Sequence, residues 1–233
     1  MRYLGGKTRH AKDIIKVILE RTPAGAAWIE PFIGGASVVT SVPKNRKIVG
    51  SDIDEEVVAL YEYVRDGGEL PNSVTEEEYQ KVRAQKENFP EWFCGFVSVG
   101  CSFGGKKWGG YARGKNSKGL FRNYALETKN KLQKMDFFGI TLMSCDYSGI
   151  PINDGDIVYC DPPYAGTTGY TTKSNNEEFW KWANETSKRA YVFVSEYSAP
   201  IGWKSIWEKE TASLSGKASC GKRAAEKLFT REI

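Results

Sequence analysis

Histidine is almost missing from this 233-residue chain, where His10 stands alone. A nucleophile relay built on imidazole therefore has one candidate member and no obvious partner. Cysteine is sparse too: Cys94, Cys101, Cys145, Cys160 and Cys220 are odd in number and form no Cys-x-x-Cys pair. Neither a disulfide framework nor a zinc site is expected, and no metal is called for. No apolar run approaches the length of a membrane span, and the opening Met1-Arg2-Tyr3-Leu4-Gly5-Gly6-Lys7 lacks the apolar core of a signal peptide. A cytoplasmic protein without membrane contact is the expectation. Internal repeats are absent as well. With 40% apolar and 27% charged residues, the composition is that of a soluble protein whose length suits one domain with an inserted lobe better than two full domains. A net charge of +4 is only mildly basic and by itself argues for no nucleic-acid partner.

What the chain does have is a strand that stops abruptly. In Asp156-Ile157-Val158-Tyr159-Cys160-Asp161-Pro162-Pro163-Tyr164 an apolar run ends at an acid, two prolines and a ring. Ile157, Val158 and Tyr159 are strand formers, and tandem prolines remove two backbone donors, so the ladder cannot pass Cys160. Ligands of open α/β sheets sit outside the carboxyl ends of strands. Here that place holds the Asp161 carboxylate, carbonyls left free by the Pro162-Pro163 turn, and the Tyr164 ring. An acceptor beside a stacking face suits an amino-bearing heterocycle such as a nucleobase. The plainer alternative is a strand end closed by a proline turn.

In chain order, Ala11, Ile14, Ile15, Ile18 and Leu19 share one helical face, with Thr8 placed to cap the start, so Lys7 lies at the mouth of a helix. Residues 26–30 read as a strand that Pro31-Phe32-Ile33-Gly34-Gly35-Ala36-Ser37 turns into a short helix, closed before Pro43. A two-glycine turn lets backbone approach a ligand, although such turns are common. Residues 47–52 form a second strand ending in Asp52, followed by a helix with Val57, Leu60, Tyr61 and Val64 on one face and Gly67-Gly68 at its end. Asp52 lies eighteen residues after Gly34, near the spacing at which an acid reaches ribose hydroxyls. A helix-capping role is the alternative, and Asp54 is able to fill it. Thr75-Glu76-Glu77-Glu78 has the spacing of a capping box and opens a helix to about Gln85. Residues 140–147 return to strand pattern, 177–187 read as a helix, and 191–194 as a buried strand. Glu196 and Tyr197 at its end either line a pocket or serve the fold. Residues 206–210 and 225–230 look like a closing strand pair, with a Gly-, Ser- and Lys-rich loop at 215–223 between them.

Positive charge is concentrated. Residues 104–134 hold nine Lys or Arg against one acid, Glu127, leaving 24 basic against 28 acidic residues in the remainder. Six glycines and the rings of Trp108, Tyr111, Phe121 and Tyr124 are interleaved there. A flexible basic segment of this kind follows phosphates and offers rings to bases, which makes Lys106, Lys107, Trp108, Arg113 and Arg122 candidate contacts to double-stranded DNA. A solvated face is the alternative.

Taken together and in this order, Tyr3-Leu4-Gly5-Gly6-Lys7, Glu30-Pro31-Phe32-Ile33-Gly34-Gly35, Ser51-Asp52-Ile53, Asp161-Pro162-Pro163-Tyr164, Gly166-Thr167-Thr168-Gly169-Tyr170 and Val194-Ser195-Glu196-Tyr197 resemble the S-adenosylmethionine-dependent DNA amino-methyltransferases, and within them the Dam-like DNA adenine methylases common in phages. One departure is Ala36, where the family pattern usually has a further glycine. The resemblance implies an α/β, Rossmann-like class I methyltransferase sheet flanked by helices, built from residues 1–70 and 140–233, with an inserted smaller DNA target-recognition lobe at 71–139. It implies S-adenosylmethionine as cofactor, held by Tyr3, Lys7, Phe32, Gly34, Asp52, Asp146 and Asp161. Lys7 would meet the donor's carboxylate, and Asp146 with Tyr147 would pack on its adenine. It further implies methyl transfer to adenine N6, with Asp161 and the Pro162 carbonyl accepting the amino hydrogens and Tyr164 stacking on a flipped base. A monomer is expected. Cytosine N4 or an RNA base offers the same amino chemistry, and a catalytically dead DNA-binding protein is the non-enzymatic alternative.

Overall fold

The computed structural model describes residues 3–163, 173–210 and 225–231. Its centre is a seven-stranded sheet made of β1 (Trp28–Glu30), β2 (Ile48–Asp52), β3 (Ile140–Ser144), β4 (Ile157–Cys160), β5 (Tyr191–Glu196), β6 (Lys204–Glu210) and β7 (Ala225–Thr230), in the spatial order β3-β2-β1-β4-β5-β7-β6. β1 to β5 pair in parallel, and β7 runs antiparallel to both β5 and β6. The order reverses between β1 and β4, which places the ligand crevice of such a sheet at their carboxyl ends.

Parallel strands covered on both faces should be apolar throughout. β4 obeys: Ile157 and Tyr159 point into one core and Val158 and Cys160 into the other, all four buried. The first core takes in α1 (Ala11–Leu19) and α2 (Glu55–Arg65), the second α6 (Lys173–Thr186). Ala11, Ile14, Ile15 and Ile18 are the buried face of α1, as their spacing predicts. Thr8 does not cap it. The helix begins at Ala11, and the Lys7 carbonyl accepts from the His10 and Ala11 amides through an intervening turn. α2 starts at Asp54, whose side chain accepts from the Val57 amide, and ends in a turn that puts Gly67 at φ 84° and bonds the Gly68 amide to the Tyr63 carbonyl. The helix expected after Pro31 is only a 3-10 turn, Val39–Ser41.

The segment between β2 and β3 carries α3 (Glu76–Ala84), with both halves of the Thr75/Glu78 capping box formed, α4 (Glu91–Gly95) and α5 (Tyr124–Leu132). α4 continues into a π-helical turn at Phe96–Gly100. It rests directly on α2: a Cβ on Gly95 would stand 2.1 Å from the Glu56 carbonyl oxygen, so only glycine permits the approach. Tyr79, Val82, Phe96 and Val97 accordingly belong to the same buried cluster as Ile14, Val57 and Leu60. No helix among the described residues is long and apolar enough to cross a membrane.

Candidate active site

The turn after β1 forms one wall. Gly34 sits at φ 41°, and the Tyr3 ring lies so close that a Cβ on Gly34 or Gly35 would fall 2.9 or 2.8 Å from its atoms. The Gly34 amide donates to Asp52 Oδ2 at 2.9 Å and the Asp54 amide to Oδ1 at 3.0 Å. The eighteen-residue spacing thus becomes a physical contact between glycine turn and acid. Burial pushes the Asp52 carboxyl up while the two amides pull it back, and each oxygen retains a free lone pair. Burial, followed by the field of Asp52, Asp54 and Asp161, keeps the Tyr3 phenol protonated. At Ala36 the cost of the missing glycine is conformational: its φ is 54°, a left-handed value that side chains resist, in a fully buried position.

The second wall is aromatic and apolar. Phe32 stacks on Tyr147 at 5.4 Å and 28°, and both meet Phe179 edge-on at 5.7 Å. Asp146 is spent locally, its Oδ1 accepting from the Ser148 amide at 3.0 Å and hydroxyl at 2.6 Å. Of the two readings of that acid, the loop-forming one describes its bonds. Ile53, directly after Asp52, is 74% exposed, a large apolar side chain held in the open. It carried no role in the sequence, where nothing distinguishes it from a strand-end isoleucine.

Asp161 leaves β4 at the crevice, with Pro162 buried behind it. Lys7 Nζ stands 2.7 Å from Asp161 Oδ1, 3.3 Å from Glu226 Oε1 of β7 and 3.1 Å from the Gly5 carbonyl. Burial drives the lysine toward neutrality and the two carboxylates reverse this, leaving its pKa raised. The ammonium expected to meet a donor carboxylate stands between Asp161 and Glu226, as burial favours a paired charge. Beneath lies Glu30, fully enclosed, accepting from the Trp28 indole at 3.1 Å. Burial first, and then the charge of Asp161, raises it well above the carboxylate range, so it holds its proton. Glu226 escaped sequence reasoning because a single acid in a closing strand carries no signal. Tyr164, the 166–170 motif and the 215–223 loop lie outside the described residues.

The basic segment is less free than its composition. Lys107 Nζ is 2.6 and 2.7 Å from the two oxygens of Asp54 and 2.8 Å from Glu56, which also binds Lys86 at 3.1 Å. This lysine, expected at DNA, ties the segment to the start of α2, whose two acids would otherwise repel. Trp108, likewise expected at DNA, packs edge-on against Tyr79 at 5.4 Å under the Lys86 ammonium and belongs to the core margin. Arg113 pairs with Glu76, and Arg122 with Glu127 at 2.7 Å, both on the surface. Among the described residues Lys106, Lys115 and Lys118 form no ion pair; Lys115 lies over the Phe121 ring at 4.9 Å, and that ring is 82% exposed. A separate cavity of about 600 Å³ lies between α6 and the end of β5, lined by Trp180, Asn184, Glu196 and Ser198, with neither Asp52 nor Asp161 in its wall. No group of three His, Cys, Asp or Glu among the described residues is arranged to hold a metal.

The family model described as D12 class N6 adenine-specific DNA methyltransferase matches residues 3–150, which include the glycine turn, Asp52 and the basic segment but stop short of Asp161. No curated protein matches the chain. Among solved structures, the Escherichia coli protein yhhF, described as a methyltransferase, aligns with a TM-score of 0.41 at 11% identity over 100% of this chain and 90% of its own. A Clostridium thermocellum protein described as an rRNA methylase aligns at 0.41 and 9% identity, over 95% of this chain and 96% of its own. SMU.472, described as a methyltransferase complexed with SAH, aligns at 0.41 and 11% identity, over 99% of this chain and 54% of its own.

Proposed function

Since the chain belongs to the D12 class of N6 adenine-specific DNA methyltransferases, enzymes that methylate adenine N6 in DNA from S-adenosylmethionine, we propose that Asp161 is the acceptor that activates the target amine. An aryl amine is a poor nucleophile because its lone pair is delocalised into the ring. A hydrogen bond from the amino group to Asp161, with a second to the Pro162 carbonyl, draws the nitrogen toward tetrahedral geometry and localises that pair. Lys7 stands 2.7 Å from Oδ1 and anchors the carboxylate at the crevice. Tyr164, next after the prolines, stacks on the base once it is flipped from the duplex. The family's amino target is adenine, which sets aside cytosine and RNA bases of the same chemistry.

The crevice fits the adenosine-bearing donor. Asp52 keeps acceptor capacity for ribose hydroxyls, exposed Ile53 and the Phe32–Tyr147 pair offer apolar cover for a planar base, and the Gly34–Tyr3 packing closes the floor. When bound, the donor supplies an electrophilic methyl group on a cationic sulfur. Lys106, Lys115 and Lys118 are proposed to meet phosphates. Arg113 and Arg122 join them at small cost, because exposed ion pairs are worth only about 0–1 kcal/mol.

The observation carrying this reading is the meeting of Asp161 with Lys7 at the point where the sheet order reverses. Single-turnover methylation of duplex DNA tests it. Asp161→Ala and Asp161→Asn should each lose at least about 10²–10³-fold in rate while melting within a few degrees of the wild type. A folded Asp161→Ala protein with near wild-type turnover refutes the assignment.

A further inference from the structure

The first turn of the basic segment touches the donor crevice at two points. We propose that Lys107 is a positioning residue for donor binding: by holding the Asp54 carboxylate it fixes the backbone amide that orients Asp52 toward the ribose. The proposal rests on the role of Asp52 given above.

Asp54 is the joint. Its amide donates to Asp52 Oδ1 at 3.0 Å while the Gly34 amide donates to Oδ2 at 2.9 Å, so two backbone donors set the plane of that carboxylate. The Asp54 side chain accepts from Lys107 Nζ through both oxygens, at 2.6 and 2.7 Å, and its Oδ1 also accepts from the Val57 amide at 3.4 Å to cap α2. The cap is long and the ion pair short, so the ion pair dominates in fixing the side chain. The second point of contact is backbone. The Leu4 amide donates to the Gly105 carbonyl at 3.2 Å, next to Tyr3, whose ring covers Gly34 and Gly35. Gly104 and Gly105, at φ 66° and 69°, make the left-handed turn that brings this carbonyl and Lys107 to the crevice.

Asp52, Asp54 and Glu56 put a carboxylate at every second residue across the end of β2 and the start of α2. Lys107 faces two of the three, standing also 2.8 Å from Glu56 Oε2, and Lys86 meets Glu56 at 3.1 Å. Without the Lys107 charge, Asp54 is left between two like charges, and the turn that presents its amide to Asp52 loosens. The ammonium acts on Asp52 directly as well. Burial pushes that carboxyl up, the Asp54 and Gly34 amides oppose this, and against the added push of the Asp54 charge Lys107 favours the ionised form that accepts from ribose hydroxyls. The segment between β2 and β3 therefore contributes to donor binding before any DNA arrives.

The test reads affinity for S-adenosylhomocysteine, the demethylated product, in the absence of DNA. That ligand keeps the ribose and lacks the sulfonium charge, so the general field of the site counts for little. Lys107→Met should weaken its binding about tenfold, near the lower end of what a charged hydrogen bond is worth. The methylation rate at saturating donor should stay within about twofold of the wild type, because the contact is made equally in ground and transition states. Lys107→Arg, which restores the charge, should recover most of the affinity. Lys86→Met removes a cation that meets Glu56 and the Trp108 ring but not Asp54. It should melt lower, as Lys107→Met does, and bind the product like the wild type. A Lys107→Met protein that melts lower yet binds with wild-type affinity overturns the proposal, and so does an equal loss of affinity in Lys86→Met. Should Lys107→Met fail to fold, Asp54→Asn takes its place: it keeps the amide and the capping oxygen, gives up the charge that Lys107 holds, and must also weaken product binding, so that unchanged affinity there overturns the proposal as well. Failure of the underlying reading is distinct: Asp52→Ala would then bind the product as the wild type does, whereas a weakened Asp52→Ala beside an unchanged Lys107→Met discards Lys107 alone.

Discussion

Replacing Lys107 by Met separates a clamp from a DNA contact, because the thioether keeps most of the aliphatic stem and removes the charge. In the folded protein that charge lies within 2.8 Å of three carboxylate oxygens on Asp54 and Glu56. Without it the two acids face each other across the start of α2 with only Lys86, at 3.1 Å from Glu56, to compensate. A fully buried pair broken in this way loses about 3–5 kcal/mol and an exposed one about 0–1. Lys107 is 35% exposed, which calls for a discount from the buried figure, and roughly 1–3 kcal/mol is expected. For a chain of this size each kcal/mol moves the melting midpoint by about 2–4 °C, so a drop of several degrees should appear in a thermal melt. DNA binding measured between 50 and 200 mM salt should keep its slope, since no phosphate contact is removed. Lys106→Met should behave in the opposite manner, with unchanged melting and a slope reduced by about 0.9 for one lost phosphate. A Lys107→Met protein that melts like the wild type and binds with the reduced slope refutes the clamp.

Two further outcomes follow from buried carboxyls. S-adenosylmethionine should raise the melting midpoint by mass action, and Asp52→Ala should lose most of that gain, because a charged acceptor of ribose hydroxyls is worth about 1.5–3 kcal/mol; an undiminished ligand shift in the variant removes Asp52 from the donor site. Glu30 has a folded pKa far above its unfolded one, so the stability it gives is complete below about pH 4.3 and is lost as pH rises toward the folded value. Relative to the wild type, Glu30→Gln should therefore gain stability with rising pH, at up to about 1.4 kcal/mol per unit, and a difference that stays constant from pH 5 to 8 rules out the protonated acid.

The parts of this protein most legible in its sequence are those where local chemistry leaves one option. Two prolines end β4 whatever surrounds them, and Thr75 with Glu78 closes its own capping box at 2.7 and 3.1 Å. The spacing of Gly34 and Asp52 predicts a shared site, and their 2.9 Å contact realises it. No single apolar face marks the stretch from Trp92 to Phe103 in the sequence, because its helix is buried on several sides and runs into a π-helical turn. Charge was the least legible property. Nine cations in 31 residues read as a DNA surface, yet Lys107 and Arg113 meet acids from outside the segment, and Arg122 takes its one acid, Glu127. Composition counts charges but not their partners. Lys7 and Glu226 make the same point from opposite ends of the chain, since only the position of β7 between β5 and β6 brings them together.

Direct methyl transfer to an amine needs one ionised carboxylate in a dry crevice, and the surrounding acids make that difficult. Asp52, Asp161, Glu30 and Glu226 all stand near the ends of β1, β2, β4 and β7, and four bare charges in low dielectric would expel one another. The structure gives each a different settlement. Glu30 keeps its proton against the Trp28 indole, while Asp52 is held by two backbone amides at 2.9 and 3.0 Å, and Glu226 and Asp161 share one ammonium. Of the four, Asp161 is the one at a strand end with 18% of its side chain open. An acceptor for an incoming amine requires such an opening, and the other three carboxyls are more deeply buried.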